Sequence, residues 1–302
     1  KVVAQRARWY ALSLAVIVPG VAFAALGGFK LGIDFTGGSE LTLQFVQPAT
    51  RVQVEEAMAE QGIKETAAQI AGGNTVYVRI PKPEGREEIT SAEANDLVEK
   101  LQTKFPGVKL GGFERIGSAI SGELTRNALT SVLLSSLFIV FYLAFRFSIG
   151  GFKNGLTFGI AAIIAMLHDV AVLVGVFCGL GYLLNWKIDS MFVTAALTVI
   201  GFSVHDTIII FDRIREYLSG RKTVQIEGTI NDALNSTLGR SINTSMTVLL
   251  TLLVMFIFGS DDIRGFCFAM IIGVISGVYS TLFIASPIVV DMRKWASKKA
   301  EA

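Results

Sequence analysis

Charge is scarce in this chain: 17% of its 302 residues are Asp, Glu, Lys or Arg, against roughly a quarter in soluble domains. With 52% hydrophobic residues and a mean hydropathy of +0.55, that deficit excludes an ordinary soluble globule and points to lipid. A net charge of +2 is too small to suggest nucleic-acid binding. Cysteine is nearly absent. Cys178 and Cys267 both lie inside apolar runs, where they read as small buried hydrophobes rather than a disulfide or a metal pair. No zinc-ligand spacing, HExxH or GxSxG occurs, so nothing points to a metal, a cofactor or an enzyme. The first residue is Lys1 rather than Met, an indication of a longer or fused chain. The first apolar run lacks a small-residue cleavage site and reads as an anchor rather than a signal peptide.

What the chain has in abundance is long apolar runs. Crossing about 30 Å of hydrocarbon takes roughly 20 apolar residues in a helix. Residues 9–29, 127–145, 241–260 and 265–290 carry no charge, while 154–186 is broken only by His168 and Asp169 and 190–211 only by His205 and Asp206. The expected architecture is a multi-span α-helical membrane protein with six transmembrane helices, at 9–29, 126–146, 155–178, 190–212, 240–259 and 264–290. A loop at 213–239 and a basic tail at 291–302 complete it. Lysine and arginine concentrate on one side, at Arg6, Arg8, Arg146, Lys153, from Arg213 to Lys222, at Arg240 and from Arg293 to Lys299. Lys1 belongs to the same side, and the two short loops opposite hold only Lys187 and Arg264. Basic residues favour the cytoplasmic side, so both termini are expected there and residues 30–125 outside.

The outer segment reads as one small α+β domain between helices 1 and 2. SELTLQFV (39–46) and TVYVRI (75–80) alternate as strands, the latter ended by Pro81 and Pro83, and a third strand is expected over 112–116. Thr50 with Gln53 and Thr90 with Glu93 form capping boxes that open two helices. A β-α-β-α-β order with two helices on a small sheet fits this length.

Charged groups inside a membrane cost about 2.5–3.5 kcal/mol on insertion scales, so each requires a reason. Asp206 lies about five residues, some 7 Å, to the cytoplasmic side of its span's midpoint. Thr194, Thr198, Gly201 and His205 step by three or four and give that span one small, polar face. Arg240, Thr244, Thr247 and Thr251 make a similar stripe on the fifth span. A static Asp206–Arg240 pair, a snorkelling arginine and a proton relay all fit that spacing. His168 and Asp169 read first as hydrogen-bonding helices together, and the segment Asp212 to Glu216 as a solvated helix end. Gly273-x-x-x-Gly277 and Gly155-x-x-x-Gly159 read as close helix packing.

Several strings are recognisable. LGIDFTGG (31–38) resembles the LG-[IL]-DFTGG signature of the SecF family. GFSVHDTIIIFDRIRE (201–216) resembles its GYS-x-ND-[ST]-IVV-x-DRIRE, and LGRSINTS (238–245) is similar to its LxRTxxTS. His168-Asp169 matches a third-span HD, and the stretch from Ile263 to Pro287 matches the last span. The likeness covers essentially the whole chain in order. It implies a subunit that works with SecD, separate or fused, beside the SecYEG translocon and YajC or YidC. Such a subunit uses the proton-motive force to draw unfolded preproteins across the bacterial inner membrane. It would be a proton-driven auxiliary rather than an enzyme, with the lipid bilayer as its medium and no nucleic acid, cofactor or metal. The resemblance puts Asp206 and Arg240 on the proton path. His205 stands where the family usually has Asn and could join the relay. Asp169, His168, Ser203, Thr207, Thr244 and Thr247 would be supporting polar groups. Asp34, Phe35, Thr36, Gly37 and Gly38 would join the first helix to the outer domain and transmit motion to it. Gly117-Ser118 departs from a common Gly-Pro, which would loosen that domain's second link. Against this stand a small-molecule exporter of the RND type, whose chains normally carry twelve spans and two large outer loops, and a scaffold that merely steadies the translocon.

Overall fold

In hydrocarbon each backbone amide must find its partner within its own segment, so long apolar runs fold as helices. The computed structural model describes residues 2–63, 66–71, 74–82, 89–148, 152–219 and 226–301. Lys1, Pro83, Arg221 and Lys222 lie outside the described residues, as do the side chains of Lys153, Lys298 and Lys299. After a short turn at Val3–Gln5, helix α1 (Arg6–Phe23) passes into a wide turn at Ala24–Gly28. A single helical turn, α2 (Ile33–Thr36), leads into strand β1 (Gly38–Gln44). Then come α3 (Arg51–Glu60), β2 (Ala67–Ala71), β3 (Thr75–Ile80), α4 (Ser91–Leu101) and β4 (Lys109–Ile116). The long helices follow: α5 (Ser118–Ser148), α6 (Phe152–Leu184), α7 (Ser190–Ser219) and α8 (Ile226–Phe258). Last, α9 (Asp261–Ser280) continues through a wide turn at Thr281–Ala285 into α10 (Ser286–Glu301). Among the described residues six helical segments are long and apolar enough to cross a membrane. The chain divides into two compact units, one of Lys1–Ala22, Ser131–Val176 and Phe192–Ala302, the other of Phe23–Thr130 and Phe177–Met191.

The second unit is built around an antiparallel sheet of order β2-β3-β1-β4. Strand alternation sends Leu41, Leu43, Val76, Val78 and Ile80 to one face, where they are buried against Val54, Ala57 and Met58 of α3 and Ala94, Leu97, Val98 and Leu101 of α4. Both capping boxes form: Thr50 and Thr90 each accept the backbone N–H three residues on, and the Gln53 and Glu93 side chains return the bond. The sheet has one strand more than the three expected. β2, with the sequence AAQIA, contains a single β-branched residue and so lacks a strand signature. It pairs with β3 along its length.

In the helical unit small residues let helices approach, because lipid provides no hydrophobic drive to bring them together. A Cβ built on Gly273 would lie 2.0 Å from Val199 Cγ2, and one on Gly277 3.2 Å from Ser203 Cβ, so this pair of glycines seats α9 on α7. At Gly159 a Cβ would meet nothing, and the packing role expected there is not seen. Phe147, Phe158 and Phe211 form an aromatic group with centroids 5.1–5.7 Å apart, joining α5, α6 and α7. Elsewhere α5 presents large apolar side chains outward, among them Leu133, Phe138, Phe141 and Phe145, as a lipid-facing helix does. Cys178 and Cys267 are free and buried.

Candidate functional site

Asp206 sits on α7 and is 7% exposed. Its Oδ1 accepts a hydrogen bond from Ser241 Oγ of α8 at 2.7 Å, while Oδ2 is buried without a hydrogen-bond partner among the described residues. A buried acceptor left unsatisfied costs about 1–3 kcal/mol, more when it is charged, and native proteins keep few of them. Arg240 is the neighbour of Ser241 and points outward, exposed; no Asp206–Arg240 ion pair occurs among the described residues, although Arg240 and His205 are within electrostatic reach of the carboxyl. Thr207 is buried beside Asp206, bonded to Ser203 O at 2.9 Å and to Thr281 Oγ1 at 2.8 Å.

The periodicity of the two polar stripes holds, but both are exposed. Thr194, Thr198, Gly201 and His205 of α7 and Arg240, Thr244 and Thr247 of α8 lie on open faces. Thr198, Thr244 and Thr247 return their hydroxyls to their own helix, on Thr194 O, Arg240 O and Thr244 O at 2.8–2.9 Å. The buried face of α8 is formed instead by Thr237, Ser241 and Ser245. Arg240 and Ser241 are adjacent in sequence, so spacing alone could not tell which of the two turns toward the acid.

The second acid is the reverse case. Asp169 on α6 is fully buried and accepts from Ser203 of α7 and Ser276 of α9 at 2.6 Å each, and from Ser280 of α9 at 2.7 Å. His168 Nδ1 lies 3.1 Å from its Oδ1. His168 Nε2 in turn lies 3.0 Å from Ser13 Oγ of α1. Ser203 was expected as a supporting polar group, but Ser13, Ser276 and Ser280 read singly as small packing residues, and no local pattern links the four. The helix end from Asp212 to Glu216 carries two ion pairs, Asp212 with Arg146 and, on its exposed side, Arg213 with Glu216 at 2.6 Å.

In the other unit the segment Asp34 to Gly38 forms a clasp. Asp34 accepts the Ser190 N–H at 2.7 Å and so caps the first turn of α7, where free N–H groups and the helix dipole favour a carboxylate. Gly32 N–H donates to Ile188 O and Ile188 N–H to Lys30 O, each at 2.7 Å, forming a parallel bridge. Arg79 donates to Leu31 O and Thr36 Oγ1, and the Phe35 carbonyl accepts from Thr125 at 3.4 Å. Gly37 and Gly38 have φ of 68° and 125°, backbone that side chains rarely adopt. Lys187 donates to Glu40 of β1 at 2.8 Å; burial pushes its ammonium below the usual lysine range and the Glu40 carboxylate opposes that. Lys187, Glu40 and Arg79 were not among the expected site residues, since only the fold brings the loop before α7 to the root of β1.

The sequence profile of the family described as "Protein export membrane protein SecD/SecF, C-terminal" matches residues 96–295, and that of the "SecD/SecF GG Motif" matches residues 25–49. The protein translocase subunit SecF of Thermobaculum terrenum is 41% identical, over 98% of this chain and 94% of that one. The chain belongs to the SecF branch of the SecD/SecF family. A second SecF, from Alicyclobacillus acidocaldarius, is 36% identical over 98% of this chain and 94% of its own. Among solved structures, SecDF from Thermus thermophilus is similar with a TM-score of 0.84 at 28% identity, covering 97% of this chain and 38% of the longer SecDF chain. SecDF in a super-membrane-facing form gives 0.69 at 29% identity, over 100% of this chain and 40% of that one. The clasp at Asp34 to Gly38 lies within the SecD/SecF GG motif match, and both acids lie within the C-terminal match.

Proposed function

We propose that this chain is a subunit of the Sec protein-export machinery that works with SecD and uses the proton-motive force to assist preprotein translocation across the bacterial inner membrane. The basic residues on one side support an orientation with both termini cytoplasmic and the α+β domain, residues 30–125, outside. In this reading the chain is a transport auxiliary and not an enzyme. Its relatives' names support a place beside the Sec translocon, and the resemblance extends that to SecYEG, YajC or YidC.

The observation that carries the mechanism is Asp206 Oδ2, buried and without a hydrogen-bond partner among the described residues. Such an oxygen is suited to take a proton, because the neutral carboxyl is the form a poorly solvated site tolerates. Protonation removes the charge that Arg240 and His205 sense, and deprotonation restores it. The open polar faces of α7 and α8 are where SecD's spans would dock and respond to that change. Asp34 caps the first turn of α7, so a shift of that helix pulls on the root of β1 through the clasp. The energy suffices. One charge crossing the membrane yields about 2.3 kcal/mol per 100 mV and about 1.4 kcal/mol per pH unit, enough to shift a two-state equilibrium more than a hundredfold. Export into inverted membrane vesicles with an imposed proton gradient is the test. Asp206→Asn is expected to lose the gradient-dependent part of export, and undiminished gradient-dependent export would sink the mechanism.

A further inference from the structure

The cluster around Asp169 can be read by counting hydrogens, because each hydroxyl has one to give. Ser203, Ser276 and Ser280 give theirs to the carboxylate, at 2.6, 2.6 and 2.7 Å. Tyr279 gives its hydrogen to the Trp9 carbonyl at 2.7 Å. Two contacts remain on the way back to Asp169: Ser13 Oγ to Tyr279 Oη at 3.3 Å, and His168 Nε2 to Ser13 Oγ at 3.0 Å. If the imidazole is neutral with its hydrogen on Nδ1, Ser13 must donate to Nε2, and the Ser13–Tyr279 contact holds no hydrogen. If the hydrogen is on Nε2, a bare Nδ1 faces the carboxylate oxygen 3.1 Å away, lone pair against lone pair. One proton more removes the conflict of the second case and fills the contact left empty in the first. Nδ1–H donates to Asp169, Nε2–H to Ser13, Ser13 to Tyr279 and Tyr279 to Trp9 O, and every contact holds one hydrogen.

Charge favours the same assignment. A carboxylate at zero exposure beside a neutral imidazole leaves a net negative charge buried among helices, whereas the pair with one added proton is neutral as a whole. Within the pair the proton belongs on the imidazole, since three hydroxyls donate to the carboxylate and stabilise its ionised form. The groups facing the pair are Ser13 from α1, Ser203 from α7, and Ser276, Tyr279 and Ser280 from α9. Of these only Tyr279 titrates, its ring stacked on His168 at 5.9 Å. Asp206 lies one helical turn beyond Ser203 on α7.

We infer that His168 and Asp169 form a second proton-binding site, loaded in this arrangement, whose unloading reverses the Ser13 hydroxyl and breaks the hydrogen-bonded path from α6 through α1 to α9. The site stands apart from the Asp206 mechanism, and neither depends on the other. Asp169 is ringed by three hydroxyls and one imidazole, and no group of three or more His, Cys, Asp or Glu able to hold a metal occurs among the described residues, so the ligand is a proton and not a metal cation.

The chain has two histidines, which makes the test direct. The full chain is labelled with ring-15N histidine, reconstituted in lipid bilayers and measured by solid-state 15N NMR at neutral pH, with His205→Asn used to assign the remaining ring. Both ring nitrogens of His168 are expected to carry hydrogen. Ser13→Ala removes the acceptor of Nε2–H without touching the carboxylate, and is expected to lower the ratio of doubly to singly protonated rings about tenfold at the same pH. A purely structural cluster would hold a neutral ring, and Ser13→Ala would not change its protonation. A bare ring nitrogen in the unsubstituted protein, or a ratio that Ser13→Ala leaves unchanged, overturns the proposal.

Discussion

Two aspartates are set into the same group of helices with opposite degrees of satisfaction. Asp169 accepts three hydroxyls and faces an imidazole, whereas Asp206 accepts a single hydroxyl and keeps one oxygen unpartnered. The first arrangement ties α6, α7 and α9 together through one carboxylate, and the second leaves a carboxylate oxygen open. Their truncations are therefore expected to separate. Asp169→Ala strands three serine hydroxyls and a histidine in the interior and is expected to destabilise by about 3–5 kcal/mol. Asp206→Ala strands one serine and is expected to cost roughly 1 kcal/mol. Denaturant or thermal unfolding of the two variants in detergent checks the order, and equal losses would remove the distinction between a fully and a partly satisfied acid.

At the scale of elements, close approach of helices depends on positions where a side chain will not fit. Gly273→Leu drives a side chain into Val199 of α7 and is expected to destabilise by about 1–3 kcal/mol. Gly159→Ala meets open space and is expected to stay within about 0.5 kcal/mol. The melting temperatures of the two variants compare them. The spans were legible in the sequence because hydrocarbon demands long apolar runs, and the capping boxes because their chemistry is local. β2 was not, since Ala67–Ala71 is held by its neighbour β3 and not by its own residues. At the site, hydropathy singled out Asp206 and Asp169 as costly, and the polar stripe of the fifth span pointed to Arg240, which the resemblance also named. Neither could find Ser241, because a polar stripe marks a face of a helix and not the neighbour that face meets. The serines around Asp169 and the link from Lys187 to Glu40 are long-range in the chain and carry no local pattern.

At the scale of the whole molecule, the open polar faces of α7 and α8 are the conspicuous feature. Thr198, His205, Arg240 and Thr247 lie in spans meant for lipid, yet they are exposed. Polar intramembrane faces turn toward protein or water, so a partner's helices are expected to cover them. A photo-crosslinker placed at Thr247 is expected to capture SecD in native membranes, while one at Phe141, on the apolar face of α5, captures lipid. Lipid alone at both positions would contradict that arrangement. The central claim is that the moving proton binds Asp206, and proton flux tests it most directly. In proteoliposomes carrying this chain with SecD and an internal pH dye, an imposed gradient is expected to drive proton entry that Asp206→Asn abolishes and Asp206→Glu retains in part. Entry at the unsubstituted rate in Asp206→Asn, in protein that folds and assembles normally, would contradict it.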